Sequence, residues 1–284
     1  MAEKKVKVIV LRTAGTNCDQ ETGFAFQYFG AAVDCVHINQ LFAGRRSLDD
    51  YHILAVPGGF SYGDDIMSGR ILANELRLRL GGAVEKFLAD GKLVLGICNG
   101  FQVLVRAGIL PGELAGSRVW IPASQQTATL TTNDSAKFED RWCHLKPEGS
   151  SVWTQGLPEV LYAPVAHAEG KFLAESEELL TRLKENGQIA FRYCTPDGAE
   201  PDYPANPNGS VENIAGITDR TGRILGMMPN PERHFLFRQH PFWTRLEKKG
   251  GLGHGARIFK NGVEYVQKNL LNAQHASAVN AEEP

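Results

Sequence analysis

The sequence predicts an α/β fold, an open and mostly parallel central sheet flanked by helices, with antiparallel strands in the C-terminal half. Two observations carry that expectation. Through the first hundred residues, short apolar runs alternate with helix-patterned segments, as parallel strands joined by crossover helices do. From residue 127 the texture changes to shorter, alternating runs of the kind found in antiparallel strands.

The first strand is "VKVIVL" (6–11), whose few apolar positions before Arg12 are too short for a membrane helix or a signal-peptide core. A helix over 19–30 follows, then strands "VDCVHI" (33–38) and "YHILAVPGG" (51–59). The spacing then predicts one long helix over 70–90, with Leu72, Leu76, Leu80, Val84, Phe87 and Leu88 on a single face and Gly91 as its C-terminal stop. "KLVLGI" (92–97) is the next strand, and "NGFQVLVRAG" begins the helix after it. Beyond 127, "TATLTT", "WCHLK", "LYAPVAH" and "QIAFRYC" read as mixed and antiparallel strands. The tract 195–213, rich in Pro, Asn and Gly, reads as a surface loop, and 214–228 as a hairpin turning at 219–222. Residues 1–272 are expected to form a single domain and 273–284, which lack any apolar period, a disordered tail.

Composition narrows the function. The chain has 284 residues, 43% of them hydrophobic, enough to bury a large core. A formal net charge of -2 supplies no basic stripe, which argues against a nucleic-acid partner and for a small molecule or a protein. Five separated cysteines without a CxxC pair suit the reducing cytoplasm, and nothing in the pattern suggests a membrane partner.

Cys98 is the chief candidate for chemistry. It falls between the end of a strand and the start of a helix, where sites form on parallel sheets. Gly96-Ile97-Cys98-Asn99-Gly100 has the G-x-nucleophile-x-G spacing of a strained elbow, which should push the sulfur into the open. A helix N-terminus there favours thiolate, and the Asn99 amide is free to donate. The competing reading is a cysteine packed at a strand end; the paired glycines favour the elbow. "AVPGGFSYGDD" (55–65) follows another strand and lacks the Lys-Ser/Thr ending of a phosphate loop. A backbone amide from Gly58 or Gly59, facing that of Asn99, would make an oxyanion hole; Gly59 and Asn99 are the pair assigned here. Read alone, a Pro-Gly-Gly segment is equally a plain turn. Asp64 and Asp65 have no His or Cys at ligand spacing, so no metal site is expected.

"GICNGFQ" after "PGGFSYGDD" resembles the class I glutamine amidotransferases, and among them the glutaminase subunits of phosphoribosylformylglycinamidine synthase. "GTNCDQET" (15–22), "YAPVAHAEGKF" (162–172) and "GMMPNPER" (226–233) extend the resemblance over about residues 6 to 233. The resemblance implies a Cys-His-Glu triad in which Cys98 attacks the carboxamide carbon of glutamine, and ammonia leaves. It also implies a partner synthetase subunit that holds ATP and magnesium, with a small accessory subunit as a further partner and no cofactor in this chain. "RQHPFWTR" (238–245), aromatic and basic, is a candidate docking surface or a packed loop.

The family's His-Pro-Glu-Arg motif departs here to Asn230-Pro231-Glu232-Arg233. Glu232 carries over as the orienting carboxylate, whereas an asparagine amide accepts no proton near neutral pH. Asn-Pro-Glu is also a good helix start, giving Asn230 a structural reading as an N-cap. His234, about one turn on, is ranked first as a replacement base; His240 is another candidate, and His167 in "AHAEG" is expected to border the site. An alternative follows: a catalytically weak or silent amidotransferase-like scaffold, disabled at Asn230.

Overall fold

The computed structural model describes residues 5–64, 67–112, 125–247 and 250–272. The expected tail (273–284) and Asp65 lie outside them.

Among the described residues the main sheet has nine strands in the order β2-β1-β3-β4-β11-β10-β9-β6-β7. β1 (Lys7–Arg12), β2 (Ala32–His37), β3 (Ile53–Val56), β4 (Leu93–Ile97) and β11 (Ile224–Met227) pair in parallel. From β11 outward, β10 (Ile214–Thr218), β9 (Ile189–Cys194), β6 (Glu139–Pro147) and β7 (Leu161–His167) pair antiparallel. The expected class is therefore observed, with the change of pairing on the C-terminal hairpin. That hairpin turns where expected, because Asp219 Oδ1 accepts the backbone N–H groups of Arg223 and Ile224. One strand departs from a single-sheet picture: "TATLTT" contributes β5 (Ala128–Thr131), which pairs antiparallel with β8 (Lys171–Ala174) in a separate two-stranded sheet.

β3, β4 and β11 are buried at every position, as continuous apolar runs in the middle of a covered sheet should be. α1 (Asp19–Tyr28) packs on β1 and β2, the short α2 (Ile38–Phe42) follows β2, and α5 (Asn99–Ala107) packs on β4 and β11. The single helix expected over 70–90 is two: α3 (Arg70–Arg79) and α4 (Gly81–Ala89). Leu80, at φ -120 and ψ 7, ends the first and starts the second. Gly81 and Gly82 follow it, and each glycine weakens a helix by about 1 kcal/mol against alanine, so the axis breaks there. The apolar face survives the break, since all six residues assigned to it are buried. α6 (Glu177–Glu185) follows β8, and α7 (Ala256–Val266) packs against α1. No helix among the described residues is long and apolar enough to cross a membrane.

The parallel order 2-1-3-4 places the carboxyl ends of β1, β3, β4 and β11 side by side. Each runs into a segment quoted above: residues 13–18, 57–62, Cys98, and 228–232. Neighbouring strand ends thus gather motifs far apart in sequence.

Candidate active site

Cys98 sits between β4 and α5 with φ 51 and ψ -107, a backbone conformation that costs a non-glycine residue about 1 to 3 kcal/mol. The flanking glycines show how the chain tolerates it. A Cβ on Gly100 would lie 1.8 Å from the Val56 carbonyl oxygen, and one on Gly96 would lie 2.6 Å from Leu104 Cδ1. They permit β3, β4 and α5 to approach, which fixes the turn. The expectation of an open sulfur is corrected, because Cys98 is only 6% exposed. Its Sγ lies 3.8 Å from the Ala166 carbonyl at the end of β7, and Gly58 covers it from the β3 side.

Gly58 is where the loops meet. A Cβ placed there would be 3.1 Å from Cys18 Sγ, 3.1 Å from Asn230 Nδ2 and 3.5 Å from Cys98 Cβ. The segment from Gly58 to Tyr62 is laced to the β1 loop: Phe60 N–H donates to Gly15 O (2.9 Å), Asn17 N–H to Gly58 O (3.4 Å) and Tyr62 N–H to Ala14 O (2.7 Å). Gly59 faces Thr16 in that antiparallel bridge. The bonds of the pair come from their neighbours, so the bridge does not consume the Gly59 amide. Asn99, first residue of α5, has an N–H without an intrahelical acceptor.

The side chains after Cys98 hold these loops in place. Asn99 Oδ1 accepts from Ser61 N–H (3.2 Å), Asn99 Nδ2 donates to Gln102 Oε1 (3.0 Å), and Gln102 Nε2 donates to the Glu169 carbonyl. Arg106 closes the chain on Glu169 Oε2 at 3.0 Å. "NGFQ", "FSYG" and "HAEG" thus join in one network, whose Gln102 and Glu169 sequence reasoning left without roles. His167, next to Ala166, borders the site through the backbone while its ring points to Asn133 Oδ1 (3.2 Å). Burial lowers that imidazole to a pKa of about 4, so it is neutral at pH 7.

Asn230 occupies the N-cap position of a short 3-10 turn (Pro231–His234), but its side chain does not cap. Instead Nδ2 donates to Glu232 Oε1 at 2.7 Å, while the Asn230 N–H donates to Pro164 O at 2.8 Å. Glu232 is 1% exposed, and its second oxygen, Oε2, is buried with no hydrogen-bond partner among the described residues. Burial pushes its carboxyl up to about 7, against the opposing pull of the Asn230 amide and Arg233. Arg233 reaches Cys18 Sγ at 3.2 Å and Glu21 at 3.5 Å. Cys18 therefore belongs to this neighbourhood; its place inside "GTNCDQET" was the available signal. Burial raises its thiol well above the ordinary range.

The structure does not bring His234 to Cys98. Its Nδ1 bonds the Tyr162 carbonyl at 2.5 Å, and its ring packs 5.1 Å from Trp142 and His254 and 5.6 Å from His240. Tyr162 and Ala166 are four residues apart on β7, roughly 13 Å along the strand. With His234 against the first carbonyl and Cys98 Sγ against the fourth beyond it, the two are outside hydrogen-bond reach. His240 lies within the same aromatic group. Among the described residues no three His, Cys, Asp or Glu side chains converge on a metal position.

This sheet order, with a cysteine elbow at the end of a central parallel strand, defines a class I glutamine amidotransferase fold. A model of the CobB/CobQ-like glutamine amidotransferase domain matches residues 5–266. Phosphoribosylformylglycinamidine synthase subunit PurQ of Dehalococcoides mccartyi is 46% identical over 267 residues, covering 93% of this chain and 99% of that protein. The Archaeoglobus fulgidus subunit of the same name is 41% identical over 279 residues, covering 94% and 100%. A chain in the structure of PurLQS from Thermotoga maritima superposes with a TM-score of 0.68 at 27% identity, covering 93% of this chain and all of that one. The chain belongs to this glutamine amidotransferase family, within its PurQ subunits.

Proposed function

We propose that the chain hydrolyses glutamine to glutamate and ammonia through a thioester on Cys98. The ammonia passes to a separate synthetase subunit, which converts formylglycinamide ribonucleotide to formylglycinamidine ribonucleotide with ATP and magnesium held on that partner. The observation that carries the reading is the backbone of Cys98, held at φ 51 by two glycines that no larger residue could replace. Attack by sulfur on the carboxamide carbon moves charge onto its oxygen, and the Asn99 and Gly59 amides are the donors that would receive it. Collapse of that intermediate breaks the C–N bond and releases ammonia; water then cleaves the thioester by the same route. The buried setting of Cys98 suits a reaction in which ammonia is handed on.

A second reading, a weak or silent scaffold that keeps the fold and partner contacts, is favoured by one observation. The residue bonded to Glu232 is an amide that cannot carry a proton. The partner surface would include residues 236–246, where Leu236, Phe242 and Leu246 are exposed. Glutamate release by the chain assembled with its synthetase decides between the readings. Cys98→Ala is expected to reduce the rate by about 10⁴-fold or more, and a native rate equal to that of the variant would establish the scaffold.

A further inference from the structure

Asn99, Gln102 and Arg106 follow one another at intervals of three and four residues on α5, so their side chains share one face of that helix. Glu169, in the connection between β7 and β8, grips this face twice. Its backbone carbonyl accepts from Gln102 Nε2, and its carboxylate oxygen Oε2 accepts from Arg106 at 3.0 Å and from the Ser68 N–H at 3.4 Å. The connection is anchored on its other side as well. Asn133 Oδ1 accepts the Gly170 N–H at 3.0 Å, and Asn208 Nδ2 donates to the Gly170 carbonyl at 2.8 Å. Three residues before Glu169, the Ala166 carbonyl lies 3.8 Å from Cys98 Sγ.

This grip gives the polar chain a direction. A carbonyl oxygen only accepts, so Glu169 fixes Gln102 with Nε2 toward the connection and Oε1 toward Asn99. That oxygen takes Asn99 Nδ2 at 3.0 Å, which leaves Asn99 Oδ1 for the Ser61 N–H at 3.2 Å. Were Gln102 to turn its amide over, Asn99 would turn too, and its Nδ2 would face the Ser61 N–H, donor against donor. Asn99 supplies one oxyanion donor from its own backbone, and Ser61 is two residues beyond the other, Gly59. Resting on the glutaminase reading, we propose that Glu169 is the positioning residue of the oxyanion donors. It holds Gln102 and Arg106 so that the Asn99 side chain locks residues 59–61 against the start of α5. It takes no part in bond making, and acts through Gln102 and Asn99. A displacement of about 1 Å in such a site costs about 10²-fold in rate. Because an oxyanion donor works in the transition state, the loss falls on kcat and leaves KM little changed.

The test compares two reactions of Cys98 in the chain assembled with its synthetase. Glutamine hydrolysis passes through a tetrahedral oxyanion. Alkylation by iodoacetamide does not, since the sulfur bonds to a saturated carbon and iodide leaves. Glu169→Ala should lower kcat for glutamate release by about 10²-fold with KM within about threefold. Alkylation of Cys98, followed on its own peptide by mass spectrometry, should stay within about threefold of native. Glu169→Gln, whose amide oxygen still accepts from Arg106 and Ser68, should recover about tenfold or more over Glu169→Ala. Arg106→Met releases the same carboxylate from the helix side; it should show the same selective loss and add little to Glu169→Ala. Arg106→Met carries the test if Glu169→Ala does not fold. A folded variant with native kcat, alkylation that falls in step with hydrolysis, or Glu169→Gln no better than Glu169→Ala overturns the proposal. A native rate equal to that of Cys98→Ala removes the glutaminase reading and this inference together; a Cys98-dependent native rate leaves the reading standing whatever Glu169 does.

Discussion

The two ends of β7 make an instructive pair. At its carboxyl end the Ala166 carbonyl touches Cys98 Sγ, and the polar side chains gathered around Gly58 are Cys18, Asn230 and, behind it, Glu232. Toward its start, Tyr162 and Trp142 are surrounded by the rings of His144, His234 and His240, with His254 against His234. One region holds a thiol beside an amide and an acid; the other has imidazoles and aromatic rings packed for shape. His234, His254 and His240 are held in the second region by polar partners, whereas His167, at the carboxyl end, turns its ring to Asn133 Oδ1. His234 holds the Tyr162 carbonyl, His254 Nδ1 accepts the Tyr162 N–H at 2.9 Å, and His240 Nδ1 accepts the Phe242 N–H at 3.0 Å. Proximity in sequence to Glu232 does not make His234 part of the thiol end, because the 3-10 turn carries successive residues along β7.

Three changes sharpen or break this contrast. The largest effect is expected from Gly100→Ala, which drives a methyl into the Val56 carbonyl. Loss of about 3 kcal/mol of unfolding free energy, read by chemical denaturation, should accompany collapse of glutaminase activity. Near-native stability would mean that the elbow is looser than its contacts imply.

Next comes Glu232, whose carboxyl rises from its ordinary value near 4.5 to about 7 on burial. A raised acid binds its proton more tightly when folded, so stability is fullest below the unfolded value and falls as pH rises through the folded one. Glu232→Gln, neutral throughout, should therefore gain on native protein as pH goes from 4.5 to 8, by on the order of 3 kcal/mol. A flat difference across that range would show that the carboxylate is solvated.

The smallest effect concerns the aromatic end. His234→Gln should cost about 1 to 2 kcal/mol of stability through the lost ring contacts, with the glutaminase rate held within about threefold. A rate falling to the level of Cys98→Ala would join the two ends into one machine and return His234 to catalysis.

Several features were legible before any coordinates. Gly96-x-Cys98-x-Gly100 revealed the elbow because its constraint is local: a strand must turn sharply into a helix. The amphipathic face over 70–90 was equally plain, and only the break at Leu80 escaped, where two glycines outweighed a continuous apolar stripe. A cap at Asn230 is one of the two readings the sequence allows, because capping preference is a property of isolated helix ends. Within the fold a buried carboxylate two residues on competes for the same amide and wins.

By itself the sequence determined the alternation of strands and helices over the first hundred residues and the strained turn at Cys98, both consequences of neighbours along the chain, and it placed an amide at position 230 where the resembled motif has an imidazole. The tertiary structure alone decided that Cys98 is covered, that Cys18 and Asn230 meet over Gly58, and that His234 is drawn to the far end of β7. Those outcomes depend on which strand ends lie side by side, and that follows from the pairing of segments more than a hundred residues apart.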